Sequence, residues 1–448
     1  MLAPEKKAAR SLVVPAVLLL LLGIFQLGYG VVRDDTAPLF GWYGLTFAAY
    51  LWLVNSQPSQ WLSGLTLLAL LARILLLFSV PGLSDDFYRF HWDGLLVVNG
   101  IHPFAYTPAM VMEQLPVSEL CGIEEKLFNQ LNSPGYYTIY PPVNQAVFWL
   151  GAYLFPTEPE SSAIIMRGVI LLAEMGTMVL LPVVLKQYGL PSHQSLWYTL
   201  NPLVIIELTG NLHFEALMLF FLLASVYFLN CGKWVYSSLF FALAVCSKLV
   251  PLILLPLLFR RLGVKKAIGY CGLTGLFTLL MFLPLLDAEL IRGMQASVGL
   301  YFQKFEFNAS VYYVVREIGY QVKGYNIIQT AGKYLAGITL VCVVLYSFIE
   351  KKERLPESFM WVFGIYFLLA SIVHPWYVSS LVLFSTFSNY RFPVVWSFTV
   401  FFSYLGYRFS PYRENLWITG IEYGLVIVVL VYELLVTSGP KQEIVYSE

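Results

Sequence analysis

The 448-residue chain is poor in charge: 12% of its residues are Asp, Glu, Lys or Arg, against about 25% in soluble domains. It has 27 basic and 27 acidic residues, so it lacks the basic surplus of a nucleic-acid-binding protein. Hydrophobic residues make up 58% of the chain, which is too many for a disordered or ordinary soluble protein. They form continuous runs such as 13–22 instead of the alternating pattern of a membrane β-barrel. The composition predicts an all-α polytopic membrane protein.

Cysteines are also few, and the five present have no paired spacing, which indicates small buried hydrophobic side chains and not a disulfide framework. The chain has no convincing GxGxxG or P-loop motif for binding a nucleotide. No internal repeat or low-complexity linker divides it, so we expect one membrane domain over residues 1–448. The first apolar run extends toward Val32 without a clear cleavage site, which predicts a retained first helix.

Apolar runs long enough to consider as membrane spans occur along the whole chain. A bilayer core of about 30 Å needs about 20 helical residues, so the shortest runs, 143–156 and 376–388, are too short to cross alone. The topology between 143 and 259 stays open, because either 143–156 does not cross or 234–259 is one long span. The candidate runs are 12–32, 38–55, 61–80, 143–156, 163–185, 196–209, 212–230, 234–259, 267–286, 327–349, 358–373, 376–388, 392–408 and 416–436.

Clusters of basic residues predict the orientation, since cytoplasmic loops carry an excess of Lys and Arg. This rule places the N-terminus in the cytoplasm and two long loops outside: the first loop (83–140), after the third span, and the second loop (287–325). The second loop contains four cations on the side that is usually depleted of them, which suggests that some hold an anion. The cytoplasmic clusters are Lys6-Lys7-Arg10, Arg260-Arg261-Lys265-Lys266 and Lys351-Lys352-Arg354, and the outer cations are Arg292, Lys304, Arg316 and Lys323.

The first loop opens with an unusual group of ionisable residues, Asp85, Asp86, Arg89, His91 and Asp93. Such groups at a membrane edge are costly unless they are paired or functional. A solvated helix start, capped by the serine before the two aspartates, is the simpler interpretation. It does not explain the histidine and third aspartate, so we favour a functional site.

Aromatic residues fill the rest of the first loop, which ends with Tyr140-Pro141-Pro142. Aromatic rings anchor proteins at the headgroup level, but they also pack on the apolar faces of sugars. The two prolines predict a bend where the chain re-enters the bilayer. Asn144 follows about one turn into an apolar segment, where an amide needs hydrogen-bond partners.

These segments resemble the bacterial members of the GT-C superfamily, polytopic glycosyltransferases that use polyprenyl-phosphate-linked sugars, and the nearest are mannosyltransferase-like. The resemblance rests on SDDFYRFHWDGLLVVNGIHPFAYTP and LNSPGYYTIYPPVNQ, with weaker matches at 201–217, 247–256 and 374–377. Phe104 stands where many relatives have Tyr. The implied fold is a bundle of about 11–14 helices in a bacterial plasma membrane.

The resemblance implies transfer of a hexose, most plausibly mannose, to a lipid or glycan acceptor at the outer face. An aspartate takes the proton of the acceptor hydroxyl, which inverts the anomeric carbon, and basic side chains stabilise the leaving polyprenyl phosphate. A positioned carboxylate contributes about 10²–10⁴-fold to such a step, and cations stabilise the developing phosphate charge. We expect Asp85 to be the base, with Asp86 as helper or alternate.

Further candidates lie outside the first loop. Lys248 sits in an apolar stretch, where it either snorkels to the interface or binds phosphate; for His374 the resemblance favours a phosphate contact. Either Arg316 or Lys304 could hold the same phosphate. The predicted donor-binding residues are Arg89, His91, Lys248, Arg316 and His374, and the predicted substrate-binding residues are Asp93, Tyr140, Asn144, His213, Glu215, Trp376 and Tyr377.

Two carboxylates within apolar runs, Glu174 and Glu207, must be paired, protonated or near a helix end, and the sequence does not reveal their partners. No His or Cys cluster has the spacing of metal ligands, and we expect no cofactor, although Asp85 and Asp86 could bind a divalent cation. Two other functions stay open: a secondary transporter, which would show two matched halves that we do not find, and a non-catalytic membrane assembly factor.

Overall fold

The structure is a computed structural model that describes residues 12–56, 59–303, 305–350, 352–410 and 412–437. The protein is 76% helical, and no strand occurs among the described residues. The one β-type contact is an isolated parallel bridge between Phe307 and Ile372. The predicted all-α polytopic class is confirmed. The predicted basic residues Lys6, Lys7, Arg10, Lys304 and Lys351 lie outside the described residues.

The described ranges contain eighteen α-helices of seven or more residues. We number them α1 Val13–Phe25, α2 Thr36–Asn55, α3 Leu62–Leu75, α4 Asp86–Val98, α5 Pro108–Gln114, α6 Pro142–Leu154, α7 Pro159–Gln187, α8 Glu215–Asn230, α9 Trp234–Ser247, α10 Leu255–Leu262, α11 Val264–Phe282, α12 Ala288–Gln303, α13 Val311–Lys323, α14 Ile328–Ile349, α15 Leu355–Leu369, α16 Val378–Ser385, α17 Phe392–Thr399 and α18 Leu416–Thr437.

Six helical segments in the described ranges are long and apolar enough to cross a membrane. A π-helix, Val204–Gly210, and α8 form a further candidate that is bent by 110° between its halves. Three more apolar helices, α3, α9 and α15, have 14 or 15 residues. The six long segments are Val13–Gly30, Thr36–Asn55, Pro159–Gln187, Val264–Leu285, Ile328–Ile349 and Leu416–Val436.

The structure interrupts the predicted span 234–259 at one residue. Helix α9 ends at Ser247 and Lys248 is extended, with φ −158° and ψ 136°. A short 3₁₀ turn, Val250–Leu254, and α10 then continue the chain. Pro251 and Pro256, which lack backbone N–H donors, each lie at the start of one of these two segments. The segment 234–259 is therefore not one continuous helix, and the topology between 143 and 259 stays a prediction.

Close packing of α4 on α6 sets the position of the first loop. A Cβ atom added to Gly94 would lie 2.2 Å from the carbonyl oxygen of Phe148 and 2.9 Å from the Cβ of Ala152. Only a residue without a side chain allows this approach. The contact places the N-terminus of α4, with its two aspartates, against the bundle.

Helix α12 of the second loop packs on the first loop. A Cβ atom on Gly293 would meet the carbonyl oxygen of Phe104 at 2.9 Å, and Ser297 donates a hydrogen bond to the carbonyl oxygen of Thr138, 3.1 Å away. His102 of the first loop bonds the carbonyl oxygen of Leu285, 3.1 Å from its Nε2. The two loops therefore form one structure on the same side of the bundle.

Candidate functional site

Asp85 and Asp86 lie at the start of α4 but have different partners. Asp85 forms an ion pair with Arg33, from the turn between α1 and α2, and their side chains are 36% and 30% exposed. Asp86 accepts a hydrogen bond from the Asn132 side chain at 2.9 Å. Ser84 accepts from the Asp86 backbone N–H at 3.3 Å, close to the predicted cap. Asp86 does not pair with Arg89 at i,i+3, because Arg89 pairs with Asp93.

Burial raises the pKa of Asp86 above its ordinary value, and the neighbouring carboxylates of Asp85 and Glu215 add to the effect. The hydrogen bond from Asn132 and the charge of Arg33 act in the opposite direction. A carboxylate with a raised pKa is a stronger base. Of the two aspartates, Asp86 therefore has the environment of a proton acceptor, whereas Asp85 is held by a cation.

Lys248 and Glu215 meet beside these aspartates. They form an ion pair in which Glu215 is buried and Lys248 is 32% exposed. The Lys248 ammonium also lies 4.0 Å from the centre of the Tyr377 ring, a distance at which a cation is attracted to an aromatic face. Three predicted residues from distant segments thus come together. The partial exposure of Lys248 leaves its ammonium open to a ligand.

Three aromatic rings form a stack near Lys248. His213 stacks on Trp376 with ring centres 3.6 Å apart, and Trp376 stacks on His374 at 4.4 Å. His374 is also 4.6 Å from the ring of Phe307 in the second loop. The predicted residues His213, His374 and Trp376 are therefore in direct contact, although about 160 residues separate them in the chain.

The π-helix supplies the carboxylate of Glu207, whose partners the sequence did not reveal. Glu207 is fully buried and accepts hydrogen bonds from the Tyr404 hydroxyl at 2.7 Å and the Asn211 amide at 3.5 Å. His213 Nε2 lies 3.3 Å from the same carboxylate. Single π-turns in proteins often occur at functional sites, and this one brings a buried carboxylate to the ring stack.

The turn after the π-helix is tied to the start of the first loop. Asn211 accepts a hydrogen bond from the Leu83 backbone N–H at 3.1 Å. Leu212 has a positive φ of 64°, which costs energy in a residue with a side chain. Arg167 donates to the carbonyl oxygens of Thr209 and Gly210 at 2.8 and 2.9 Å. These bonds hold His213 at a fixed position relative to the two aspartates.

The side chains that follow the two aspartates are buried in the protein: Arg89, His91 and Asp93. Arg89 and Asp93 form the predicted i,i+4 ion pair at 2.8 Å, and both are buried. His91 Nε2 lies 3.2 Å from the carbonyl oxygen of Pro156. Burial lowers the pKa of His91 to about 4, so its ring is neutral near pH 7. These bonds explain the three residues as structural members; their binding roles stay predictions.

Tyr140 and Asn144 lie beside the ring stack, where the first loop enters α6. The Tyr140 ring makes edge contacts with Phe90 and Phe148 at 5.0 and 5.2 Å, and Phe214, next to His213, completes the group. Asn144 is buried, and its side-chain oxygen has no hydrogen-bond partner. A buried amide oxygen without a partner costs free energy, which fits a group reserved for a ligand.

Arg316, on α13 of the second loop, does not contact the ring stack directly. It pairs with Glu306, and its guanidinium is 4.3 Å from the centre of the Tyr313 ring. Glu306 immediately precedes Phe307, which contacts His374. Arg316 therefore reaches the ring stack only through the second loop, and its predicted phosphate contact stays a prediction.

The sequence analysis missed Arg33 and Tyr407 as members of the site. The Arg33 guanidinium lies 4.7 Å from the Tyr407 ring centre while it pairs with Asp85. The signal for Arg33 was present, because it begins an Arg-Asp-Asp run between two apolar segments. Tyr407 belongs to an aromatic-rich segment in which the sequence does not mark any one ring.

The described residues contain no group of three or more His, Cys, Asp or Glu side chains arranged to hold a metal ion. Arg33 compensates the charge of Asp85, and Asn132 bonds Asp86. Each of the two aspartates thus has a side chain of the protein as its partner.

The fold and site together define a class: a polytopic helical membrane protein in which paired carboxylates, partly exposed cations and stacked rings converge at one end of the bundle. A family model described as alpha-(1->6)-mannopyranosyltransferase, N-terminal domain, matches residues 14–262. Since the match covers more than half of the chain, the protein belongs to this alpha-(1->6)-mannopyranosyltransferase family, whose members are glycosyltransferases that transfer mannosyl groups. No curated protein matches the chain.

The matched range includes most of the site. It contains Asp85, Asp86, His213, Glu215 and Lys248. The ring stack is completed by His374 and Trp376, beyond the matched range. The C-terminal part of the chain therefore contributes one wall of the site.

Proposed function

We propose that the protein transfers a mannosyl group from a polyprenyl-phosphate donor to a hydroxyl of a lipid or glycan acceptor, with inversion at the anomeric carbon. The proposal includes a multi-pass location in a bacterial plasma membrane, with the site at the outer face and the N-terminus in the cytoplasm. The observation that carries it is the Asp86 carboxylate, whose pKa burial raises and which is influenced by Asp85 and Glu215, two carboxylates that each pair with a partly exposed cation, Arg33 and Lys248.

In this mechanism Asp86 accepts the proton of the acceptor hydroxyl. The hydroxyl oxygen forms a bond to the anomeric carbon from the face opposite the donor phosphate. The bond between that carbon and the phosphate oxygen breaks, and the phosphate departs with the electron pair. We assign the base to Asp86 in place of the expected Asp85, because the Asp85 carboxylate is already engaged in an ion pair with Arg33.

Lys248 is the proposed cation for the leaving phosphate. Its ammonium is held by Glu215 and the Tyr377 ring, and it can turn from Glu215 toward a phosphate because it is partly exposed. Charge-assisted hydrogen bonds to phosphate are short and strong. The stacked rings of Trp376 and His374 offer an apolar face against which a sugar or an isoprenoid chain packs.

The test measures mannose release from synthetic polyprenyl-phosphate-mannose by purified protein in detergent, with membrane lipid extract as acceptor. We expect Asp86→Asn to lower the transfer rate by about 10²–10⁴-fold, since it removes the proposed base. Glu113→Gln, which changes an exposed carboxylate of the same loop, should leave the rate unchanged.

The result separates the parts of the proposal. A full rate in Asp86→Asn and a loss in Asp85→Asn would return the base to Asp85. If wild-type protein released no sugar from any polyprenyl-phosphate hexose, the donor class would be wrong. Treatment with EDTA should leave the wild-type rate unchanged, because Arg33 and Lys248 supply the positive charge.

A further inference from the structure

Helix α13 carries an apolar stripe that no part of the described chain covers. Val311, Val314, Ile318, Val322 and Tyr325 are 39–71% exposed. The spacing of three or four residues places Val311, Val314, Ile318 and Val322 on one face of the helix, and Tyr325 follows just beyond the helix end. Glu317 and Gln321 are exposed along one edge of this stripe. Such an arrangement is typical of a helix with one face in an apolar medium and a polar edge in water.

The opposite face of α13 is buried against the protein. Tyr312 and Tyr313 pack with Ile328, Ala331 and Leu335 of the following helix. A Cβ atom on Gly319 would lie 2.5 Å from the Ile327 side chain, so the helix approaches that segment closely. Because α13 already packs on the protein through its opposite face, the stripe forms part of the outer surface of the described chain.

The depth of α13 relative to the membrane follows from the position of the next helix, α14. Helix α14 has 22 residues, passes the criteria for a membrane span, and at 1.5 Å per residue is about 33 Å long, close to the bilayer core. Its first residue therefore lies near the membrane boundary. Helix α13 ends at Gly324, which has φ 78°, and residues 324–327 connect it to α14, a link of about 14 Å at most.

Length and charge exclude a span for α13 itself. Its 13 residues extend about 20 Å, which is too short for the bilayer core. Arg316 and Glu317 lie in its middle. At the boundary, the stripe leaves apolar side chains exposed just as α14 does, where Tyr334 and Ile338 are exposed.

We propose that α13 lies in the membrane interface with its apolar stripe in the lipid. The occupant of the stripe is the bilayer, since only residues 324–327 separate α13 from a helix that passes the criteria for a membrane span. Tyr325 at the end of α13 and Tyr334 on α14 have the amphipathic rings that favour headgroup depth. This inference does not depend on the proposed enzymatic activity.

The inner face of α13 connects the lipid contact to the site. Arg316 pairs with Glu306, and the Tyr312 hydroxyl bonds the same carboxylate at 2.6 Å. Phe307, the next residue, lies against His374. The membrane surface thereby supports the segment of the second loop that lies against the ring stack.

The test uses single nitroxide labels in a cysteine-free protein reconstituted in phosphatidylcholine and phosphatidylglycerol liposomes. Labels are placed at Ile318 (I318C) on the stripe and at Gln321 (Q321C), its matched control on the polar edge. We expect collision with dissolved oxygen, relative to a water-soluble nickel chelate, to be several-fold higher at Ile318 than at Gln321, because oxygen concentrates in lipid.

Equal nickel accessibility at the two positions would overturn the proposal. Spin–spin broadening at Ile318 that disappears on dilution with unlabelled protein would also overturn it and would assign the stripe to a second copy of the chain. A second measurement uses wild-type protein, so it tests the proposal even if the cysteine-free protein does not fold. Wild-type protein in liposomes with diazirine-tailed phosphatidylcholine should be labelled at Val314, Ile318 and Val322 and not at Glu317; the reverse pattern would contradict the proposal.

Discussion

The two adjacent aspartates of the first loop differ in their chemistry because they have different partners. Asp85 faces Arg33, whereas Asp86 is half-buried and receives one hydrogen bond from Asn132. Burial and the nearby charges of Asp85 and Glu215 raise the pKa of Asp86. Two residues with the same side chain can thus serve as a base and as the anchor of a cation.

The pH dependence of transfer should reveal this coupling. Asp86 accepts a proton only when it is ionised, so kcat/KM falls as the pH drops through its pKa, which lies above that of an ordinary aspartate. In Asp85→Asn a like charge disappears and Arg33 loses its partner. Both changes lower the pKa of Asp86, so the acid limb should move to lower pH.

A profile of kcat/KM against pH for the wild type and Asp85→Asn checks this expectation. Glu113→Gln should leave the acid limb in place. An acid limb that stays unchanged in Asp85→Asn would contradict the electrostatic coupling between the two aspartates.

At the level of elements, interruptions of helices create the site. The π-helix Val204–Gly210 and the turn with Leu212 at φ 64° end one helical segment, and the extended Lys248 ends another. Each break brings polar side chains to a place that regular helices would fill with apolar ones. Arg167 and Asn211 satisfy backbone groups around the first break, which makes it sustainable in an apolar environment.

The contact of α4 with α6 offers a direct test of element packing. Gly94→Ala inserts a Cβ atom 2.2 Å from the Phe148 carbonyl oxygen, so the helices must separate. Overpacking of this kind costs about 1–3 kcal/mol. We expect a lower midpoint of thermal unfolding in detergent and a lower transfer rate, because the separation displaces the start of α4.

Gly135→Ala is the matched control, since a Cβ atom there meets nothing within 4 Å. It should unfold at the wild-type midpoint. A Gly94→Ala protein with wild-type stability and rate would show that the two helices need not approach so closely.

At the scale of the whole molecule, a buried ion pair joins distant segments. Arg73 of α3 bonds Glu174 of α7 at 2.7 Å, and neither side chain is exposed. The Tyr198 hydroxyl bonds the same carboxylate at 2.7 Å, and Arg73 also bonds the carbonyl oxygen of Thr199 at 2.7 Å. The partner of Glu174 is thus an arginine about 100 residues earlier in the chain.

Breaking this pair should destabilise the protein strongly. Glu174→Ala leaves the Arg73 charge buried without a carboxylate, which typically costs about 3–5 kcal/mol. The double variant R73M/E174L, which removes both charges, should recover much of the loss. Thermal unfolding in one detergent compares the variants.

Arg354→Ala is the control, because it breaks an ion pair with Glu357 in which the arginine is 53% exposed. Exposed pairs contribute about 0–1 kcal/mol, so its unfolding midpoint should stay near that of the wild type. If the double variant were no more stable than Glu174→Ala, the uncompensated charge would not be the cause of the loss.

Several features could be predicted from local sequence. Continuous apolar runs specify helices in a membrane, and the first loop is marked by its charges. The i,i+4 pair of Arg89 and Asp93 follows from helix geometry alone. Their inward orientation does not, since Arg89 also donates to the carbonyl oxygen of Ser133, which the loop brings back toward α4.

The sequence by itself determined the membrane class, the apolar helices and the position of the acidic motif, because these depend on composition and on neighbours a few residues apart. Only the tertiary structure decided that Arg33 holds Asp85, that Lys248 interrupts a helix, and that His213, Trp376 and His374 stack. These contacts join segments separated by up to about 160 residues. Their formation depends on how the helices pack, and a helical pattern fixes which face is apolar but not which partner that face meets.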